Sequence, residues 1–165
     1  MTIAQEAIIY KTELAKPVEI DGGIVTVVSN MRDLWSQANI ASDRLRILIC
    51  FAGESARGPF AIASKTHRVD RHWAAAITRG RGYVEDRGAT LTDAVDGSDA
   101  FYTKVEIYRD GFRSINTTSL ELPLDYRGMK PMSNGNLIVD GYILEWSSAH
   151  DLPVLNPISS VQEIL

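Results

Sequence analysis

The sequence has little of the chemistry that holds small folds together by covalent bonds or metal ions. Its 165 residues include one cysteine and three histidines, so an internal disulfide is excluded. Cys50 lies in the apolar run RILICFAG, which predicts a thiol packed as a small hydrophobe. No apolar run approaches the ~18 residues that span a membrane, and no basic-then-apolar signal segment opens the chain. We therefore expect a soluble protein assembled or used in a reducing compartment.

Length and composition predict one folded domain. The chain is 45% hydrophobic and 23% charged, which is ordinary for a globular protein and argues against disorder. A single domain of this length buries roughly two thirds of its unfolded surface. We assign residues 1–165 to that domain, with a helical N-terminal part at 1–43, an α+β core at 44–153 and a long loop at 80–97.

Charge is unevenly distributed along the chain. The overall net charge is -4, so the whole molecule is not a natural polyanion binder. Residues 57–87 carry seven basic and three acidic side chains, whereas residues 88–125 carry seven acidic and three basic ones. Such asymmetry can steer partners or pair copies of one chain, although two solvated faces would give the same pattern.

The N-terminal third predicts two helices. In TIAQEAIIYKTELAKP, Thr2 and Gln5 have the spacing of a capping box, the apolar residues recur on one helix face, and Pro17 is expected to end the helix. The next segment, IVTVVSNMRDLWSQA, is ambiguous because it begins with β-branched residues and continues at helical spacing. We favour a helix that starts inside this run.

The remaining chain predicts two strands, a loop, a helix and a hairpin. The strands are RLRILICFA (Arg44–Ala52) and RVDRHWAAAITRGRGY, the glycine-containing segment 80–97 is the loop, and Ser98 or Asp99 caps the helix FYTKVEIYRDGFRSI. LPLDYRGMKPM and NLIVDGYILEWSSA are expected to form a hairpin across Ser133-Asn134-Gly135. The fold class predicted is α+β, with a mainly antiparallel sheet of about four strands and helices packed on one face.

Histidine spacing argues against a metal site. His67 and His72 fall on opposite faces of a strand and about 140° apart on a helix, so neither geometry brings them to one ion. Asp70 and His72 share a strand face but supply only two ligands, and His150 could join them only through folding. We expect no metal and no cofactor.

One segment resembles a nucleophile elbow. GESAR follows an apolar strand, and Ser55, Asp140 and His150 have the chain order of an α/β-hydrolase triad. Arg57 replaces the second glycine of that elbow, and Pro59 stands where its helix would have to begin. We therefore expect a loop with a solvated serine and no enzymatic activity.

The same segment also has the G-x-x-x-x-G spacing of a phosphate-binding loop. Pro59 stands in place of the lysine that binds phosphate, and Phe60 in place of the hydroxyl that binds the metal. Both positions that carry the chemistry are therefore missing.

The segment RGRGY combines guanidinium groups, flexible backbone and an aromatic ring. These groups could contact phosphates and stack on bases. Arginine equally suits pairing with carboxylates at protein interfaces, and the chain is net acidic with twelve arginines to five lysines. We favour a protein interface over nucleic acid and over a solvated strand end.

Strand alternation separates two faces of RVDRHWAAAITRG. Val69, Trp73, Ala75 and Ile77 share a face that is expected to point into the core, and Trp146 lies in a similar pattern. The opposite face carries small or polar residues, which permit close approach by another strand or another subunit.

Five segments of the chain give a characteristic order of predicted elements. They are the strand pair DRLRILICFAGES and RVDRHWAAAITRGRG, then the helix FYTKVEIYRDGFRSI, then the hairpin PLDYRGMKPM and LIVDGYILEWSSAHDLP. In the order of these elements and in size, the chain resembles the tail terminator (tail completion) proteins of long-tailed bacteriophages. The resemblance covers residues 44–153 and rests on element order, with no invariant motif.

The resemblance implies a virion protein, assembled in the host cytoplasm, that closes into a ring, commonly a hexamer, on the last ring of the tail tube. It would end tube polymerisation, bind the tail tube protein and offer a surface to head-tail connector proteins, without catalysis or a cofactor. A head-completion or neck adaptor ring is the alternative within virion proteins, and a small nucleic-acid-binding module is the alternative outside them.

A ring requires that one patch of each subunit meet a different patch on the next copy. The basic and acidic segments would supply that complementarity. The candidate subunit-interface residues are Arg68, Arg71, Arg79, Arg81 and Arg87. Of these, Arg79 and Arg81, with the 80–97 loop, are expected to contact a neighbouring subunit or the tail tube.

Overall fold

Three helices and five strands make up the part of the chain that a computed structural model describes, which is residues 1–20, 22–40, 44–57, 66–80, 101–113, 124–132 and 139–153. In chain order they are α1 (Ile3–Ile20), β1 (Ile24–Val28), α2 (Met31–Ala38), β2 (Arg46–Ala56), β3 (Thr66–Gly80), α3 (Phe101–Arg113), β4 (Leu124–Pro131) and β5 (Val139–Pro153). The strands form one sheet in the order β1-β2-β3-β5-β4, in which β1 is parallel to β2 and the other pairs are antiparallel. The predicted α+β class is confirmed, with five strands rather than about four.

The additional strand is β1, where we had favoured a helix beginning inside the run. Ile24–Val28 is a β-branched segment that stays extended and pairs with β2 from Ile24↔Arg46 to Val28↔Cys50. The helix begins only at Met31, because Asn30 caps it: the Asn30 Oδ1 accepts the Asp33 backbone N–H at 2.9 Å. The ambiguous segment is therefore a strand followed by a helix.

Helices cover both faces of the sheet, so the prediction that they pack on one face is wrong. One face, the α1/α3 face, carries the larger core cluster, in which residues of α1 and α3 pack on residues of all five strands. The other, the α2 face, is covered at one end by Leu34 and Ala38 of α2. There they contact small and apolar side chains of three strands: Leu48, Cys50, Ala74, Ala76 and Ile143. The alanines of β3 thus admit a helix of the same chain.

The predicted core positions of β3 and β5 are confirmed. Val69, Trp73, Ala75 and Ile77 are buried on the α1/α3 face, as is Trp146. Tyr10 of α1 joins the two tryptophans, with its ring centroid 5.1 Å from Trp73 and 5.2 Å from Trp146 in edge-on geometry. This aromatic group forms the centre of the core.

The start of α1 matches the prediction and its end does not. The capping box is formed, since the Gln5 N–H donates to Thr2 Oγ1 at 3.2 Å and the Thr2 N–H donates to Gln5 Oε1 at 2.8 Å. The helix passes through Pro17 and ends at Ile20. Val18 is fully buried, and its packing against the sheet holds the last turn in place despite the proline.

The helix and hairpin predicted in the C-terminal half are confirmed in outline. Phe101, Val105 and Tyr108 of α3 are buried, and β4 and β5 pair antiparallel. The predicted 80–97 loop beyond Gly80, the caps Ser98 and Asp99 and the Ser133-Asn134-Gly135 turn lie outside the described residues.

Two glycines are expected to respond oppositely to alanine. A Cβ at Gly23 would lie 2.6 Å from Val18 Cγ1 and 2.9 Å from the Leu45 carbonyl oxygen, so Gly23→Ala should destabilise the fold by about 1–3 kcal/mol. In α3, the one described atom within 4 Å of a Cβ at Gly111 would be Leu14 Cδ2 at 3.7 Å, so Gly111→Ala should stabilise the fold by about 0.5–1 kcal/mol. Urea unfolding followed by tryptophan fluorescence would measure both; equal effects at the two sites would contradict the close packing at Gly23.

Candidate functional site

The most concentrated polar chemistry in the described residues surrounds a buried carboxylate, Glu6 of α1. Glu6 Oε2 lies 3.0 Å from Arg71 Nη1 and 3.0 Å from His150 Nε2. Glu6 Oε1 accepts hydrogen bonds from the Tyr10 hydroxyl, at 2.6 Å, and from the Ser148 hydroxyl. We name these five residues, Glu6, Tyr10, Arg71, Ser148 and His150, the Glu6 cluster.

Regular structure brings the Glu6 cluster together. Glu6 and Tyr10 are four residues apart on α1, so they share one helix face. Arg71 of β3 is directly opposite Ser148 of β5, and His150 follows Ser148 by two residues on the same strand face. The docking of α1 on the sheet therefore inserts one carboxylate among donors that the sheet already aligns.

Arg71 is shared between helix and sheet. Its Nη1 donates to Glu6 and, at 3.0 Å, to the Met1 carbonyl oxygen, while its Nε lies 3.3 Å from Glu54 Oε2 on β2. The Arg71 side chain is only 5% exposed, so these partners, rather than water, must compensate its buried positive charge. Arg71 thus links the start of α1 to β2 and β3.

The Glu6 cluster is closed to solvent. None of its five members is more than 4% exposed. Burial, and then the neighbouring Glu6 charge, raise the pKa of Tyr10 far above its ordinary value, so its hydroxyl remains a donor at neutral pH. With its polar atoms facing one another, the cluster is suited to holding α1 on the sheet and offers no exposed group to a substrate.

The sequence prediction missed Glu6. Its signal was a lone carboxylate on the helix face that also carries Ala7, Tyr10 and Leu14, all of which are buried. A charged residue in such a position indicates a buried ion pair, because an unpaired charge there would be strongly destabilising. The partner could not be read from the chain, because Arg71 is 65 residues away.

The five predicted interface arginines have different environments. Arg68 lies at the surface, where Nε and Nη2 donate to the two Asp151 oxygens at 2.8 and 2.9 Å. This hydrogen bonding raises the pKa of Arg68 and lowers that of Asp151. Arg81 and Arg87 lie outside the described residues.

The predictions for Arg71 and Arg79 require a correction, because both side chains are buried inside the chain. Arg79 is 7% exposed and its guanidinium carbon lies 4.5 Å from the centre of the Phe101 ring on α3. Both arginines have odd numbers on β3 and therefore share the face of Trp73 and Ile77, which α1 and α3 cover. The uneven charge of the chain predicted a subunit contact for both arginines, but strand alternation and the two helices bury both side chains.

Ser55, Asp140 and His150 have the chain order of a hydrolase triad, but the sequence predicts a loop with a solvated serine. Ser55 lies on β2 rather than in a loop. Ser55 projects from the α2 face, whereas His150 lies on the α1/α3 face beside Glu6. Ser55 Oγ instead lies 2.8 Å from Nε2 of His72, a residue of the neighbouring strand β3.

This Ser55–His72 pair lies beside a separate ion pair. Asp70 Oδ2 accepts a hydrogen bond from Arg57 Nε at 2.7 Å, so the Asp70 carboxylate forms an ion pair with Arg57. Ser55 itself is exposed. The arrangement is a surface hydrogen bond next to an ion pair.

The other candidate groups of the described residues are metal-ligating side chains and the Cys50 thiol. No group of three or more His, Cys, Asp or Glu side chains within them could hold a metal ion. Burial raises the pKa of the Cys50 thiol to about 11, and the thiol lies 3.2 Å from Met31 Sδ, so it stays protonated at neutral pH. None of the helices described is long and apolar enough to cross a membrane.

The two edges of the sheet differ in character. At one edge, β4 carries Arg127 and Lys130, ends in Pro131, and has a bulge before Gly128, whose φ is +129°. Charges, proline and bulges are the devices that keep sheet edges from pairing with other chains. At the other edge, β1 has the sequence IVTVV and none of these devices.

No model of a known protein family matches the sequence, and no curated protein is significantly similar to it.

Proposed function

We propose that this protein is a structural virion subunit that closes into a ring on the end of a phage tail tube. The ring ends polymerisation because it covers the surface on which the next tube ring would assemble, and it presents a new surface to the head connector. What supports the proposal is the order of elements: an antiparallel pair β2–β3, then α3, then the hairpin β4–β5 in the same sheet.

The internal contacts of the subunit agree with a structural role. Buried ionisable groups of the Glu6 cluster are engaged with one another, and Arg79 is engaged with Phe101. Such contacts make a rigid building block and require no cofactor. The ring contact itself needs two unlike patches, for which the basic 57–87 and acidic 88–125 segments remain the candidates.

Because Arg71 and Arg79 are buried, fewer residues of these segments remain candidates for the interface. Arg81 and Arg87 are retained with the surface residue Arg68, and the exposed acidic side chains of α3, Glu106 and Asp110, are candidates for the opposing patch. Arginine suits this contact because its planar group pairs with carboxylates in bidentate geometry.

The proposal is tested by electron microscopy and mass photometry of the purified full-length protein. Rings are expected, and the protein should arrest elongation when added to polymerising tail tube protein from the same genome. Phage lacking this chain should produce over-long or headless tails. Normal tails with leaking heads would instead indicate a neck adaptor, and retention on DNA without rings would indicate a nucleic-acid-binding module.

A charge-reversal pair tests the interface. Arg81→Glu combined with Arg87→Glu should abolish rings while the far-UV circular dichroism stays unchanged. The matched control combines Lys11→Glu with Arg32→Glu, which makes the same charge change at exposed positions of α1 and α2. Rings that survive the first pair, or are lost equally in the control, would contradict the assignment.

A further inference from the structure

The outer edge of β1 has backbone groups directed away from the sheet. The Ile24 N–H donates to the Leu45 carbonyl on the β2 side at 2.9 Å. In a parallel pair successive residues alternate in direction, so Ile24, Thr26 and Val28 face β2 while Val25 and Val27 direct their N–H and C=O groups outward. No described strand pairs with that outer edge.

The side chains of β1 leave this edge uncharged and partly apolar. Ile24 is 40% exposed and Val27 is 38% exposed, and Thr26 between them is exposed too. An exposed edge of β-branched residues without charge, proline or bulge is a template for strand pairing. The charges, bulge and terminal proline of β4 disfavour that edge as its partner.

We propose that β1 pairs antiparallel with β1 of a second copy, about a two-fold axis through Thr26. In this register Val25 of each copy is opposite Val27 of the other, and Ile24 is opposite Val28. Every apolar side chain therefore meets an apolar side chain, and threonine meets threonine, which are favourable cross-strand pairs. The segment is self-complementary, as an isologous contact requires.

The register also satisfies the outward backbone groups. Each Val25–Val27 pair exchanges two N–H···O=C bonds, because both residues direct their groups to the same side of the strand. The two pairs are equivalent by symmetry. The joined sheet would run from β4 of one copy to β4 of the other. Its two outer edges would then both be β4 strands, whose charges, bulge and proline disfavour further pairing.

A contact built on short strands is small. It falls in the class of weak interfaces, for which we expect a dissociation constant on the order of micromolar to tens of micromolar. This inference does not rest on the proposed ring: a closed ring is built from contacts between unlike patches, and a two-fold contact through β1 would join two free subunits or two rings.

Sedimentation velocity of the full-length protein over about 1–200 µM tests the pairing. The wild type should shift with concentration from the 18.2 kDa monomer to a dimer, or from one ring to paired rings. Thr26→Lys places two ammonium groups opposite each other and should weaken the pairing at least about tenfold, as should Thr26→Glu. An equimolar mixture of the two variants should restore it, because lysine is then opposite glutamate.

The matched controls are Thr103→Lys and Thr103→Glu, which make the same changes at an exposed position of α3. They should pair like the wild type. Four outcomes would overturn the proposal: no pairing of the wild type, pairing unaffected by Thr26→Lys, no recovery in the mixture, or equal loss in the Thr103 controls. If the protein formed single rings and the Thr26 substitutions changed nothing, the β1 contact would be overturned and the ring proposal would stand. If it formed dimers through β1 but no rings, the ring proposal would be overturned and the β1 contact would stand.

Discussion

Replacing Glu6 by alanine is expected to lower the free energy of unfolding by about 3–5 kcal/mol. The substitution leaves the Arg71 guanidinium, 5% exposed, without its buried counter-charge. It also removes the acceptor of the Tyr10 and Ser148 hydroxyls. Glu54 remains 3.3 Å from Arg71 Nε, which favours the lower end of the range. Urea unfolding followed by tryptophan fluorescence is the measurement.

Glu13→Ala is the matched control, since Glu13 lies on the same helix. Its partner Lys16 is 3.8 Å away with a side chain that is 71% exposed, so this surface pair should contribute less than about 1 kcal/mol. Glu6→Gln, which retains an acceptor oxygen, should fall between the two. Equal stability of the Glu6→Ala and Glu13→Ala proteins would show that the Glu6 cluster does not hold α1 to the sheet.

Trp73→Ala is expected to cost about 3–5 kcal/mol, by removal of the central ring of the core. Trp73 is 1% exposed and lies within 5.4 Å, centroid to centroid, of both Tyr10 and Phe51. These rings belong to α1 and β2, so a cavity at this position would loosen a helix and a strand together. Thermal unfolding and the near-ultraviolet circular dichroism of the aromatic group would report the loss.

Tyr102→Ala serves as the comparison, because Tyr102 is an aromatic residue of α3 that is 48% exposed. It should change stability by less than about 1 kcal/mol. Trp73→Phe keeps part of the ring contact and should be milder than Trp73→Ala. If the alanine variants at 73 and 102 unfolded at the same urea concentration, the aromatic group would not be the centre of the core.

Both predictions concern the packing of α1 on the sheet. This packing joins the N-terminal segment to residues 44–153 in one structure. α1 packs Tyr10 edge-on against Trp73 and Trp146 and places Glu6 among donors from β3 and β5, and β1 extends the sheet beyond β2. Any assembly built from this subunit would therefore present β1 and the helices as one rigid unit.

Local signals predicted the elements that they control. The Thr2–Gln5 capping box, the alternation of Trp73, Ala75 and Ile77, and the spacing of Phe101, Val105 and Tyr108 each depend on residues a few positions apart. The sequence therefore determined the α+β class, the core faces of β3 and α3, and the hairpin of β4 with β5.

Long-range partners decided the rest. Pro17 did not stop α1, because the burial of Val18 against the sheet outweighed a local preference. Arg71 and Arg79, which their charge would place at the surface, are buried because Glu6 and Phe101 arrive from helices distant in sequence. A β-branched segment becomes a strand only where another strand pairs with it, and the same pairing determines whether one of its edges stays unpaired. Tertiary structure alone could decide that β1 pairs with β2 on one side and leaves the other side free among the described strands.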